Sequence, residues 1–133
     1  GHLGSSLAYH LRRHIETGAD SDYERARREA EWHRRTFPDD EHGEPCFYLE
    51  LQRHDTPEQD QVNEKILRLA AELDLPLVCD NDSHFLTAAD WDSHDTLICV
   101  STGKSKQQED RLHYPKELYV KSRSAIPRRP GRS

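Results

Sequence analysis

The sequence predicts an α/β fold in which parallel strands alternate with helices, and it predicts that only an arc of such a fold is present. Three observations carry this. Short apolar runs bounded by turn residues alternate with longer runs of helical period, the order expected of a parallel sheet with crossover helices. The run LPLVCD (75–80) is apolar at successive positions, as a strand covered on both faces is. Three strands are too few to close a barrel, and 133 residues with 33% hydrophobic and 33% charged content supply little core.

The elements follow in order. Leu3, Leu7, Leu11 and Ile15 stand four apart and form one helical stripe, which Gly18 is placed to end. Ser21 with Glu24 has the spacing of a capping box, opening a second helix with Tyr23, Ala26, Ala30 and His33 on one face and Pro38 as its stop. The acidic stretch PDDEHGEP is a loop. CFYLELQ (46–52) has strand composition, and Thr56, Pro57 and Gln59 supply a cap, a first-turn proline and a box-closing amide for a third helix. Its stripe is Val62, Ile66, Leu69, Ala70 and Leu73. After the strand at 75–80, Thr87 is expected to cap a fourth helix with Ala88, Trp91, Leu97 and Ile98 inward. ELYVKS (117–122) is a candidate third strand, and RSAIPRRPGRS (123–133) has the composition of a disordered basic tail.

Charge and cysteine content narrow the function classes. A formal net charge of -6 argues against a surface that is one continuous nucleic-acid cradle, although nine histidines leave room for a local site. No stretch has the apolar length of a membrane span and no signal-peptide pattern opens the chain. Cys46, Cys79 and Cys99 lack CxxC spacing and are expected as reduced, mostly buried thiols of a cytoplasmic protein.

The segment DNDSHF (80–85) directly follows the buried-type strand, where parallel α/β folds gather ligands. Asp82 and His84 are two apart, so in extended backbone both side chains project to the same side. A carboxylate and an imidazole converging there suit a divalent ion such as zinc or manganese. The same residues suit an Asx turn that caps the following helix, and spacing leaves both accounts open. In LELQRHD, Glu50 and His54 would border the same rim, as a salt-bridged barrel residue and a loop histidine in the alternative account. His2 lies in GHLGS, where flanking glycines permit close approach. His10, His14 and His33 are expected on solvated helix faces, and His94 as partly packed. Lys104, Lys106 and Arg111 could meet phosphate, with a solvated loop as the plainer account.

GHLGS, YLELQRHDTPEQDQVNEKILRLAAELDLPLVCDNDSHFLTAADWDSHDTLICVSTGK and RLHYPKELYVKS together resemble the PHP domain of bacterial DNA polymerase III alpha subunits. The resemblance covers residues 1 to 122, the second half of that domain, and leaves 123–133 unmatched. It implies a partial PHP-type distorted (β/α) barrel whose other ligands, the opening HxH motif among them, lie upstream. By similarity Asp82 and His84 match the final DxH ligand pair, and His2 stands where many members have cysteine. Glu50 and His54 match positions near the site.

The resemblance further implies a parent that is a DNA-directed DNA polymerase, with magnesium at a separate palm site. DNA, deoxynucleoside triphosphates and other replisome subunits would be its partners. A PHP role in phosphoester hydrolysis, 3′–5′ proofreading or scaffolding is implied for the part seen here. A stand-alone PHP phosphoesterase of histidinol-phosphatase type and a metal-free structural module are the alternatives. The TPEQ helix and HDTLICVSTGK favour the polymerase.

Overall fold

The computed structural model describes residues 3–53 and 56–122, in two units divided between Asp80 and Asn81. In the first unit, helix α1 (Ser6–Thr17) starts where Ser5 Oγ accepts the Ala8 N–H at 3.2 Å. It stops at Gly18, whose φ of 71° lets its N–H reach the His14 carbonyl. That left-handed conformation costs glycine nothing sterically. Ala8 and Leu11 are fully buried, with Leu3, Leu7 and Ile15 packed beside them.

Helix α2 (Asp20–Thr36) departs from the expected capping box. It begins one residue earlier than Ser21, so Ser21 and Glu24 both lie inside the helix and cannot cap it; Ala19 occupies the cap without a side-chain bond. Asp20 and Asp22 in the first turn compensate by meeting the positive end of the helix dipole. Tyr23, Ala26 and Ala30 are buried as their spacing requires. Tyr23 also sends its hydroxyl to Glu72 at 3.0 Å and lies under the Arg68 guanidinium, 4.6 Å from its ring centre.

Strand β1 (Leu49–Gln52) is shorter than the run 46–52, and helix α3 (Pro57–Leu73) starts with Pro57 at its first position as expected. The predicted box at its start does not form. Thr56 Oγ1 makes no cap bond, and Gln59 turns into the core, fully buried, donating to Asn63 Oδ1 at 3.1 Å. Val62, Ile66, Leu69, Ala70 and Leu73 form the buried stripe that the spacing predicts. Asp74 ends the helix at φ 51°, a left-handed position that Asp tolerates better than most residues.

Strand β2 (Leu77–Asp80) pairs in parallel with β1, Leu49 opposite Leu77 and Gln52 opposite Asp80. The expectation that this strand is buried on both faces is wrong: Val78 is 44% exposed, and Cys79 and Asp80 are exposed. Apolar sequence buries both faces of a strand only where cover exists on both. Among the described residues, β2 has β1 as its one strand partner. Cys46 is exposed as well, so of the three free thiols only Cys99 is buried, against the expectation of mostly buried cysteines.

In the second unit the candidate strand 117–122 reduces to a single parallel bridge between Phe85 and Tyr119. Asn81 accounts for this locally. Its side-chain amide donates to the Tyr119 carbonyl at 2.7 Å and to that of Glu117 at 3.3 Å, satisfying acceptors a ladder would otherwise take. Thr87 and Asp90 form a reciprocal capping box around the 3-10 turn Ala88–Asp90, which runs into helix α4 (Trp91–Thr102). The inward face of α4 is not the one predicted. Asp95 and Cys99, four apart, are buried; Trp91 and Ile98 are half-buried; Ala88 is exposed and Leu97 is 65% exposed. The chain is thus mixed helix and strand with a small parallel two-stranded sheet in the first unit, compatible with the α/β class.

Candidate functional site

The loop after β2 assigns different work to its three polar residues. Asn81 is the structural one, tied through its side chain to the 117–119 backbone, while the Ser83 N–H closes a turn on the Asn81 carbonyl at 2.9 Å. Helix capping falls to Thr87 and Asp90, five residues beyond the loop acid. The Asp82 carboxylate therefore caps nothing. Its Oδ2 stands 3.3 Å from Nε2 of His84, and 41% and 29% of the two side chains are exposed. The two side chains meet beside the turn that the Ser83 N–H closes on Asn81. The His84 N–H donates to the Leu118 carbonyl at 2.8 Å, which fixes where that turn lies.

Two rings flank the His84 imidazole. Tyr114 lies 4.6 Å from it, tilted by 41°, and His94 meets it edge-on at 5.6 Å. His94 in turn contacts Phe85 at 5.3 Å and Tyr114 at 5.4 Å. The residues carrying Tyr114 are held down on either side. Trp91 Nε1 donates to the Tyr114 carbonyl at 2.9 Å, and Lys116 lies 4.7 Å over the Trp91 ring. On the other side Arg111 forms a fork on the buried Asp95, at 2.6 and 2.9 Å. That fork holds the Asp95 carboxyl below its ordinary pKa, the hydrogen bonds from Arg111 outweighing the opposing effect of burial.

The other candidate residues separate into three groups. His2 and His54 lie outside the described residues. Glu50 sits mid-strand on β1 opposite Val78, half-buried, accepting from Gln52 Nε2 at 2.7 Å. The basic loop is neither bare nor aimed at an anion: Lys104 pairs with Asp110, Lys106 with Asp92 and Arg111 with Asp95. Nor are the helical histidines simply solvated. His14 bonds the Ala19 carbonyl and packs on Tyr23, and His33 stacks on Phe47 at 5.3 Å. Tyr114 and Asp95 were missed by sequence reading, because their partners lie sixteen or more residues away and no local period connects them.

Whether Asp82 and His84 fit a metal ion is a question of donor geometry. Two ligands each about 2.1 Å from one ion at a tetrahedral angle lie about 3.4 Å apart. The observed 3.3 Å between carboxylate oxygen and imidazole nitrogen matches that bite. A structural or catalytic site needs three or four protein ligands, and among the described residues no group of three His, Cys, Asp or Glu side chains is placed to hold an ion. The pair fits as part of a donor set. Among the described residues no helix is long and apolar enough to cross a membrane.

No protein-family model matches the chain. It is 39% identical over 105 residues, 78% of its length, to the DNA polymerase III subunit alpha of Borreliella burgdorferi. It is 32% identical over 123 residues, 92% of its length, to that of Campylobacter jejuni, and 41% identical over 81 residues, 60% of its length, to that of Saccharopolyspora erythraea. The chain spans 9%, 10% and 7% of these proteins respectively, about a tenth of the curated relatives it matches.

Proposed function

We propose that this chain is a segment of a replicative DNA polymerase III alpha subunit and contributes the second half of its PHP domain, over residues 1–122. The observation that carries the reading is a similarity to proteins of that name extending over 92% of the chain. The two short strands of the first unit are then an arc of an incomplete barrel. The parent extends DNA from deoxynucleoside triphosphates, using magnesium at a palm site elsewhere in its length, and works in the cytoplasm with other replisome subunits. The basic residues 123–133 lie outside the PHP segment.

Within this segment Asp82 and His84 hold a divalent ion, zinc or manganese, with His2 as a further ligand and upstream residues completing the set. A bound divalent cation supplies charge neutralisation at a phosphodiester and activation of water. The chain's part is to present one carboxylate charge and one neutral imidazole nitrogen, both still accessible to solvent. By the same resemblance Glu50 and His54 match positions near the site. With its donor set incomplete and no palm, the 133-residue chain has neither polymerase nor phosphoesterase activity.

The test is the reading frame on either side of this segment, followed by assay of the whole protein it encodes. An upstream HxH segment and a downstream polymerase palm, with metal-dependent primer extension by the full protein, support the reading. A frame that closes without a palm overturns it in favour of a stand-alone phosphoesterase. A metal-free scaffold is the second reading. Stoichiometric zinc uptake by the full protein that is lost in Asp82→Asn rules it out.

A further inference from the structure

The ring cluster around His84 does something the ligand reading does not use. An imidazole has a soft second torsion, so a histidine on a loop samples several ring planes unless something fixes it. Here three contacts converge on it. Its backbone N–H is tied to Leu118, Tyr114 lies 4.6 Å from the ring, and His94 meets it edge-on at 5.6 Å. In this arrangement Nε2 lies 3.3 Å from Asp82 Oδ2. Tyr114 is itself anchored by the Trp91 bond and flanked by the buried Arg111–Asp95 fork. His94 Nδ1 is buried without a hydrogen-bond partner. A buried nitrogen left unpaired is unfavourable, so the contribution of His94 is its ring rather than a polar bond.

We propose that Tyr114 and His94 are positioning residues for His84: packing of their rings fixes the imidazole plane so that Nε2 and the Asp82 carboxylate present their donors to one point. This rests on the reading of Asp82 and His84 as a ligand pair, but the ring geometry can be measured without any ion. Neither residue ligates. They act as the supporting shell that orients a ligand, the kind of contact whose loss typically lowers metal affinity by about 10- to 100-fold.

The experiment uses the full chain, uniformly 15N-labelled and metal-free, with imidazole nitrogen–proton correlations reporting the His84 tautomer and cross-relaxation reporting Tyr114–His84 proximity. The wild type is expected to hold predominantly one ring form, its plane set by the contacts to Tyr114 and His94. Tyr114→Leu and His94→Leu should give a mixture, whereas Tyr114→Phe and His94→Phe, which keep a ring, should restore the wild-type form. Zinc titration of the full-length protein carrying the same substitutions should show weakening of about tenfold or more in the leucine variants only. Should the full-length wild type take up no zinc, the ligand reading fails while the ring form still decides the positioning role. A leucine variant that is folded and keeps the wild-type tautomer overturns the proposal. If Tyr114→Leu does not fold, the wild-type cross-peaks decide: their presence with an unchanged Tyr114→Phe supports the role, and their absence refutes it.

Discussion

Arg111 grips Asp95 across sixteen residues through two near-parallel hydrogen bonds, with 5% and 6% of the side chains exposed to solvent. A carboxylate and a guanidinium in this fork satisfy each other's charge where water cannot. Removing one partner leaves the other buried and uncompensated, which is far worse than removing both. The fork also joins α4 to the residues just before Tyr114, so it contributes to the geometry around His84 without touching it.

The first prediction is a pH dependence of that pair. The Asp95 carboxyl titrates below its ordinary value because Arg111 stabilises the charged form. A depressed carboxyl contributes stability that is fully present above the unfolded-state pKa of about 3.9 and is lost as pH falls through the lower native value. Thermal unfolding of the second unit, followed from Trp91 fluorescence in a Trp32→Phe background, should therefore fall below about pH 4 in the wild type. Asp95→Asn should be less stable at pH 7 and show a smaller acid loss. Equal acid slopes in the two proteins would show that the pair is not the origin.

A second titration lies at the opposite end of the scale. The Tyr23 phenol is pushed up to about 12, first by burial and then by its hydrogen bond to Glu72. A group whose native pKa is raised gives stability that is complete below the unfolded value, about 10 for tyrosine, and is lost as pH rises from 10 towards 12. Alkaline unfolding of the wild type should contain a one-proton contribution in that window, absent from Tyr23→Phe. The check is the slope of urea-unfolding free energy against pH between 9 and 12.

The third prediction separates two kinds of leucine. Leu69 is fully buried among the α1–α3 residues, whereas Leu97 on α4 is 65% exposed. Leu69→Ala should cost about 2–5 kcal/mol, the sum of lost transfer energy and a cavity. Leu97→Gln should stay within about 0.5 kcal/mol, as surface substitutions do. Denaturant midpoints of the two variants decide; a large loss at Leu97 would mean that α4 is packed through the face first expected.

These outcomes mark how far the sequence could be read. The stripes of α1, α2 and α3 were legible because three helices pack mostly on one another, and a 3.6-residue period records that directly. Gly18 and Pro57 were legible for the same local reason. The α4 face was not, because its buried positions include an acid whose partner is Arg111, and an Asp at a core position inverts an apolar pattern. The 117–122 strand was misread because composition cannot foresee that the Asn81 amide would take the carbonyls of Glu117 and Tyr119. Asp82 and His84 do lie side by side, as their two-residue spacing led one to expect. Tyr114 had no such signal.

The last prediction concerns what the short sheet leaves uncovered. Among the described residues β1 and β2 pair only with each other, and Val78 on β2 and Tyr48 just before β1 are each 44% exposed. In the second unit Leu86 and Val100 are each 75% exposed. Backbone donors and acceptors along an open edge, with apolar side chains beside them, make a template for association. The chain should therefore self-associate as its concentration rises, seen as increasing light scattering. A longer chain that restores the upstream half of the proposed PHP domain should be monomeric. It should also be more stable by several kcal/mol, since each 100 Å² of apolar surface newly buried is worth about 2.5 kcal/mol. Val78→Lys places a charge on the exposed strand and should reduce association of the short chain without lowering its unfolding midpoint. A short chain that stays monomeric and unfolds cooperatively with the stability of the long one is a complete domain, and the reading of it as an arc of a larger barrel then fails.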